Sequence, residues 1–261
     1  MNALDRILLQ KREELPARQA RTPLTELQSR IADQAPPRGF LRALQAAPGL
    51  GLIAEVKKAS PVSGTLRESF DPAEIARTYE AAGAHCLSVL TDEPHFQGST
   101  EDLLRARAAV SLPVLRKDFT TSEYHIHEAR AMGADAVLLI AYALSDIELR
   151  GFREIVEGLG MDALFEAHSL EEAERCLSAG ARLLGVNNRD LTTFEMSLEV
   201  GESILPKMAG RAFLVGESSI QSREDAQRME NAGAQALLIG SAFSRSEDIS
   251  SKVKEIMGWP G

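Results

Sequence analysis

Lysines, glutamates and an asparagine stand at the ends of short apolar runs along this sequence, in the pattern of acids and bases at an active site. They are Glu55, Lys57, Lys117, Glu166 and Asn187. A lysine protonates a carbonyl oxygen near neutral pH when desolvation or a neighbouring cation lowers its pKa, and a glutamate accepts the proton that must leave. Lys57 and Lys117 are candidates for such neighbouring cations, and the set predicts general acid–base catalysis. The alternative is a solvated rim of salt bridges, which explains one such residue better than it explains five.

Small residues follow the last two apolar runs, at positions that suit a phosphate group. Ser219 comes after FLVGES, and Gly240 and Ser241 come after ALLI. Backbone N–H groups approach an anion closely where the side chains of such loops are small. Lys57 and Ser60, which follow the first run, complete the predicted phosphate site. The alternative is an ordinary strand-to-helix turn, in which Gly-Ser is common.

A repeat of about 50 residues carries these positions. Gly83, Gly133, Gly180 and Gly233 each end a helix-like segment just before an apolar run, and they lie 50, 47 and 53 residues apart. Glycine there is the expected left-handed cap of a helix. A second series of apolar runs alternates with the first, which is the spacing of βα units. Eight such units predict a closed (β/α)8 barrel, whose strand ends collect the polar residues on one face; an open doubly wound sheet is the alternative.

The segment 1–47 departs from this repeat and is predicted to be a helical extension packed on the barrel, outside its core. Leu4, Ile7 and Leu8 form a short apolar stripe, and a strongly charged stretch follows them. Residues 48–261 form the predicted barrel, so the chain is one domain overall.

Composition limits the classes of partner. The formal net charge of the 261 residues is −9, opposite in sign to that of a typical nucleic-acid binder. No apolar run approaches the ~20 residues that span a membrane, and the first residues do not resemble a signal peptide. Cys86 and Cys176 form no CxxC pair, which favours a reducing compartment. The chain is therefore predicted to be a cytoplasmic protein without nucleic-acid or membrane partners, and a monomer because no separate association element is visible.

Motifs for metals and dinucleotides are incomplete. His125 and His127 are two residues apart on a predicted helix and face different sides, so a shared metal is not expected. Gly49 and Gly51 imitate part of a dinucleotide fingerprint, but they precede a strand instead of following one. Neither a metal nor a cofactor is predicted.

Six motifs in order resemble the indole-3-glycerol phosphate synthase family, and the resemblance covers essentially the whole chain. They are IAEVKKASP at 53–61, SVLTDEPHFQGS at 88–99, PVLRKDF at 113–119, GVNNRDL at 185–191, GESSI at 216–220 and LLIGSAF at 237–243. The charged N-terminal extension also resembles that of the family.

The resemblance implies a (β/α)8 barrel that needs no cofactor and acts on a sugar phosphate. The implied substrate, 1-(2-carboxyphenylamino)-1-deoxyribulose 5-phosphate, cyclises and loses CO2 and water to give indole-3-glycerol phosphate, in tryptophan biosynthesis. Lys117 is implied as the general acid at the ketone, although spacing does not fix which lysine protonates which oxygen. The resemblance also implies proton transfer by Glu55, Lys57 and Glu166, and substrate positioning by Asn187 and Ser218. The residues implied in phosphate binding are Lys57, Ser60, Ser219, Gly240 and Ser241. Those implied to form a wall around the aromatic ring are Phe96, Phe119 and Leu191.

Three positions depart from the family pattern. Ser219 stands where glycine is usual, and a serine forced to positive φ costs ~1 kcal/mol or more, so weaker phosphate binding is expected. Gly216, where the family more often has Ala or Ser, is expected to relax that turn. His95 stands where an aromatic residue is more usual, beside Phe96.

Two other functions fit the same residues. A Schiff-base aldolase also combines a strand-end lysine with a phosphate site in a barrel. A catalytically inactive binding barrel would tolerate Ser219, but it would not need both lysines and both glutamates.

Overall fold

Eight parallel strands close into a barrel in the computed structural model, which describes residues 2–61, 64–189 and 195–260. Strand β8 pairs with β1 from Gly51–Ala236 to Ala54–Ile239, and this pairing closes the sheet. The predicted (β/α)8 barrel is therefore confirmed. The strands are β1 Gly51–Val56, β2 Cys86–Leu90, β3 Val114–Lys117, β4 Ala136–Ile140, β5 Asp162–Ala167, β6 Leu183–Asn187, β7 Phe213–Glu217 and β8 Ala236–Ile239.

Helices connect consecutive strands on the outside of the barrel. The predicted left-handed caps are confirmed, because Gly83, Gly133, Gly180 and Gly233 all have φ between 85° and 109°. The helices are α1 Ala3–Arg21, α2 Leu24–Ala32, α3 Phe40–Gln45, α4 Pro72–Ala81, α5 Glu93–Phe96, α6 Thr100–Ala109, α7 Glu123–Ala131, α8 Asp146–Gly158, α9 Leu170–Ser178, α10 Glu199–Met208, α11 Arg223–Ala232, α12 Ser241–Ser244 and α13 Ile249–Met257. A 3-10 helix at Ala141–Ala143 and a short antiparallel ribbon of Ala59–Ser60 with Gly64–Thr65 complete the elements of the described residues.

Helix α1 contributes to the barrel core. Leu4 and Leu8 are buried and belong to the same apolar cluster as the strands, so the expectation that this helix lies outside the core is wrong for its apolar stripe. The predicted domain boundary after residue 47 falls between α3 and β1, and it stays a prediction. In the described part of the chain, no helix combines the length and the apolar character that crossing a membrane requires.

Two glycines make room for carboxylates inside the barrel. A methyl group added to Gly185 on β6 would collide with the carboxylate of Glu217, and one added to Gly240 after β8 would collide with that of Glu55. Both carboxylates therefore occupy space that side chains of neighbouring positions would otherwise fill.

Candidate functional site

A cavity of about 450 Å³ opens at the carboxyl ends of the strands. This volume suits a ligand of the size of a substituted sugar phosphate. All the predicted site residues except Leu191, which lies outside the described residues, line this one cavity: Glu55, Lys57, Ser60, Phe96, Lys117, Phe119, Glu166, Asn187, Ser218, Ser219, Gly240 and Ser241.

Lys117 at the end of β3 lies between two carboxylates. Its Nζ is 2.6 Å from Glu166 Oε2 on β5 and 3.4 Å from Glu217 Oε2 on β7. Burial favours a neutral lysine, but the charges of Glu166, Glu217 and Glu55 outweigh it and raise the pKa of Lys117 above its usual value. The expectation of a lowered lysine pKa is wrong, because carboxylates rather than cations surround this ammonium group.

The pKa values of the two carboxyl groups beside Lys117 are shifted in opposite directions. Burial opposes the charge of Glu166, but Lys117 and then His168 outweigh it and lower the pKa of Glu166. Burial raises the pKa of Glu217 to about 8, and the charge of Glu166 adds to that rise. Among the described residues, Glu217 Oε1 is buried without a hydrogen-bond partner. Glu217 therefore holds a proton more readily than Glu166 does, so the carboxyl groups beside Lys117 are suited to donate and to accept protons.

Lys57 forms a separate pair with Glu55. Its Nζ lies 2.6 Å from Glu55 Oε1, and the backbone carbonyl of Glu55 accepts a hydrogen bond from the buried Tyr79 hydroxyl. The hydroxyl of Ser244 on α12 donates to the carbonyl of Lys57 at 3.1 Å. This contact joins the loop after β1 to the segment that carries Gly240 at the predicted phosphate end of the cavity.

Ser218 and Ser219 both adopt left-handed backbone conformations, with φ of 63° and 65°. Positive φ at Ser219 was expected, whereas positive φ at Ser218 was not. The Ser219 hydroxyl donates to the carbonyl of Asn188 at 3.4 Å, which holds this strained loop against the end of β6. Gly216 lies inside β7, so it does not relax the turn as expected.

The predicted ring pocket lies on the opposite side of the cavity. The rings of Phe96 and Phe119 have centroids 6.4 Å apart, and Leu4 and Ile7 of α1 line the cavity with them. His95 turns away from this wall, because its Nδ1 lies 3.0 Å from an oxygen of Asp92. A substrate ring bound here would therefore contact aliphatic and aromatic side chains.

Lys11 of α1 connects the two loops that carry the phenylalanines. Its buried Nζ lies 2.8 Å from Asp92 Oδ2 and 2.9 Å from Asp118 Oδ1. Asp92 caps the short helix that ends at Phe96, and Asp118 accepts a hydrogen bond from the N–H of Phe119. The N-terminal helix thus fixes both aromatic side chains through one ammonium group.

Sequence reasoning gave no role to Glu217, Arg189 or Lys11. Glu217 ends β7 at the same level as Asn187 on β6, so its position was available from the repeat. Arg189 lines the cavity two residues after Asn187, and its N–H donates to Asn187 Oδ1 at 3.0 Å. Lys11 follows Leu4 by seven residues, which places the two on the same face of a helix. This spacing is the feature of the sequence that indicates that Lys11 faces the barrel.

Comparisons with a family model and with relatives of known function agree on the family of this chain. A family model described as indole-3-glycerol phosphate synthase matches residues 4–256. The indole-3-glycerol phosphate synthase of Neisseria meningitidis serogroup B is 48% identical over 256 residues, 97% of this chain and 98% of the relative. That of Neisseria gonorrhoeae is 47% identical with the same coverage.

Solved structures with low sequence identity share the fold. A thiamine phosphate pyrophosphorylase from Pyrococcus furiosus aligns with a TM-score of 0.61 at 18% identity, over 84% of this chain and 96% of its own. An N-acetylmannosamine-6-phosphate 2-epimerase from Clostridium perfringens aligns with a TM-score of 0.59 at 14% identity, over 77% of this chain and 91% of its own. At such identities the likeness concerns the fold alone.

Proposed function

The chain belongs to the indole-3-glycerol phosphate synthase family, and we propose that the residues gathered in its cavity close the indole ring by transferring protons between Lys117, Glu166 and Glu217. The observation that carries this proposal is the position of the Lys117 ammonium group between the carboxyl groups of Glu166 and Glu217, whose pKa values are shifted in opposite directions. The Phe96–Phe119 wall on one side and the small residues of the β7 and β8 loops on the other suit the two ends of the substrate.

In the first step, Lys117 donates a proton to the ketone oxygen while the anthranilate ring carbon attacks the ketone carbon. A C–C bond forms, and the oxygen becomes a hydroxyl group. The carboxyl group then leaves as CO2, and its bonding electrons restore the aromatic ring. Glu217, whose pKa is raised by burial, lies 3.4 Å from Lys117 and is suited to return the proton that Lys117 has given up.

Dehydration requires an acid and a base that act on different atoms of the substrate. Lys57, held by Glu55, donates a proton to the new hydroxyl group, which leaves as water. Glu166 accepts a proton from the adjacent carbon, and the C=C bond of the indole forms. Asn187 and Ser218 bind substrate hydroxyl groups or the carboxylate, since both line the cavity beside these groups.

The phosphate group binds at the end of the cavity formed by Lys57, Ser60, Ser219, Gly240 and Ser241. Lys57 supplies a positive charge, and the backbone of the β7 and β8 loops supplies N–H groups. Leu191 is proposed to extend the ring wall on the strength of the family motif alone. The proposal also includes a monomeric enzyme that acts in the cytoplasm without nucleic acid, in keeping with the net charge of −9.

Turnover of the carboxyphenylamino substrate, followed by the fluorescence of the indole product, tests the proposed function. We expect fluorescence to rise with the release of one CO2 per product. Treatment with borohydride during turnover should leave Lys57 and Lys117 unmodified in a mass spectrum, because no Schiff base forms. A trapped adduct would indicate an aldolase-type enzyme, and a protein without turnover would be an inactive barrel.

Replacement of Ser219 by glycine is expected to lower the KM for substrate about fivefold. A non-glycine residue at φ 65° carries ~1 kcal/mol of strain, which opposes the backbone position that a phosphate contact needs. Ser219→Ala is the matched control, because it removes the hydroxyl group and keeps the strain. Steady-state kinetics and inhibition by inorganic phosphate would measure both variants. An unchanged or higher KM in Ser219→Gly contradicts the prediction.

A further inference from the structure

We propose that His168 is a positioning residue of this enzyme, which holds the carboxylate of Glu166 in the orientation that contacts Lys117. The inference rests on the proposed role of Glu166. It concerns a side chain behind the cavity wall, at a position to which the sequence motifs assign no function.

The two oxygens of Glu166 face two different cations. Oε2 lies 2.6 Å from Lys117 Nζ, and Oε1 lies 3.3 Å from His168 Nε2. The Glu166 side chain is 3% exposed and lines the cavity, whereas the described cavity wall does not include His168. His168 therefore contacts the carboxylate from behind, without occupying space that the substrate needs.

A second carboxylate fixes His168 itself. Glu172 Oε2 accepts a hydrogen bond from the backbone N–H of His168 at 2.8 Å and lies 3.4 Å from His168 Nδ1. The sequence Ser169–Glu172 predicts a capping box, in which Glu172 would bind the N–H of Ser169. Ser169 does cap α9, but Glu172 binds the preceding residue instead. This glutamate thus holds both the backbone and the ring of His168.

The four groups form a row of alternating charge: Lys117, Glu166, His168 and Glu172. Burial would favour a neutral imidazole, but the two flanking carboxylates outweigh it and raise the pKa of His168 to about 9. Cys176 on α9 and Glu217 on β7 are further titratable groups that interact with these carboxylates; burial raises the pKa of both, that of the Cys176 thiol to about 12. At neutral pH the ring of His168 is therefore a cation, and its charge helps to keep Glu166 ionised.

Loss of His168 would remove the ion pair at one oxygen of the buried Glu166 carboxylate. Glu166 would then bind a proton more readily or rotate away from Lys117, and either change removes the base for dehydration. A small displacement of a reacting group lowers the rate of the chemical step more than the affinity for substrate, so we expect the change in kcat rather than in KM.

His168→Leu tests the proposal in the full-length enzyme. We expect kcat to fall on the order of 10- to 100-fold with KM within about twofold of wild type. The acid limb of the pH profile of kcat/KM should move up by about one unit, because Glu166 loses a neighbouring cation. His168→Gln places an amide donor near Nε2 without a charge. It should recover most of kcat at pH 8 and keep the displaced acid limb.

His127→Leu is the matched control, since His127 is half-buried on α7, away from the described cavity wall, and its Nδ1 contacts the backbone carbonyl of Glu123 on its own helix. Its kinetics should equal those of wild type. If His168→Leu does not fold, Glu172→Gln provides the second test, with a smaller shift of the acid limb in the same direction. An unmoved acid limb in the folded variants overturns the inference, and absence of turnover in wild type would instead overturn the proposed function.

Discussion

Replacement of Lys117 by methionine is expected to lower kcat by about 10²- to 10⁴-fold, the usual contribution of a general acid. Methionine has a similar length but no proton to give, so ring closure loses its acid. KM should change much less, because the phosphate and ring pockets lie at other parts of the cavity. The fluorescence assay gives both constants. Lys207→Met, which alters an exposed lysine on α10, is the control and should leave them unchanged.

Lys117→Arg separates proton transfer from charge. Arginine keeps the cation between Glu166 and Glu217, but its guanidinium group does not release a proton at the pH of the assay. This variant should therefore fold like wild type and remain at least about 10²-fold slower. Wild-type activity in Lys117→Arg would show that the charge of residue 117 is sufficient and that the proton comes from another group.

Replacement of Lys11 by methionine is expected to lower the free energy of unfolding by about 3–5 kcal/mol. The change leaves Asp92 and Asp118 as buried carboxylates without the ammonium group between them, and the Lys11 side chain is only 3% exposed. Asp118 would still form an ion pair with Arg116, whose NH2 group lies 3.2 Å from Asp118 Oδ2. The loss of the Lys11 charge therefore destabilises Asp92 more than Asp118. Urea unfolding at pH 7 measures the loss.

Two further variants make the measurement specific. Lys11→Met combined with Asp92→Asn should recover part of the lost stability, because one uncompensated charge disappears with the second change. Arg30→Met removes an exposed ion pair with Glu26 and should cost less than ~1 kcal/mol. A loss in Lys11→Met no larger than that in Arg30→Met would show that the buried ion pairs do not stabilise the fold. The KM of Lys11→Met should also rise, since Phe96 and Phe119 lose their common support.

The repeat of about 50 residues in the sequence predicted most of the fold. Glycine caps such as Gly133 and continuous apolar runs such as β4 are local features, so the barrel and its strand ends could be predicted from single segments. The positions of Lys117 and Glu166 in one cavity followed from the closure of the barrel. Interactions between distant side chains could not be predicted in the same way. Glu217 contacts Lys117 from 100 residues away, and the opposite pKa shifts of Glu217 and Glu166 depend on burial and charges that only the folded chain brings together.

Charged side chains that turn inward were the main source of error. A lysine on a charged helix is usually solvated, so Lys11 gave no sign of its buried position beyond its spacing from Leu4. Likewise, Ser169 and Glu172 have the spacing of a capping box. Glu172 instead accepts a hydrogen bond from the N–H of His168, because of where β5 ends relative to α9. In both cases tertiary contacts override the local preference that the sequence suggests.

The glycines at 185 and 240 have a consequence for attempts to make this enzyme more robust. A barrel interior is normally filled with branched side chains, and filling small gaps is a common route to higher melting temperature. Here the gaps beside Gly185 and Gly240 are already occupied by the carboxylates of Glu217 and Glu55. Design that fills these positions with larger apolar residues would displace groups needed for turnover, so heat resistance must come from the outer helices and from the opposite end of the barrel.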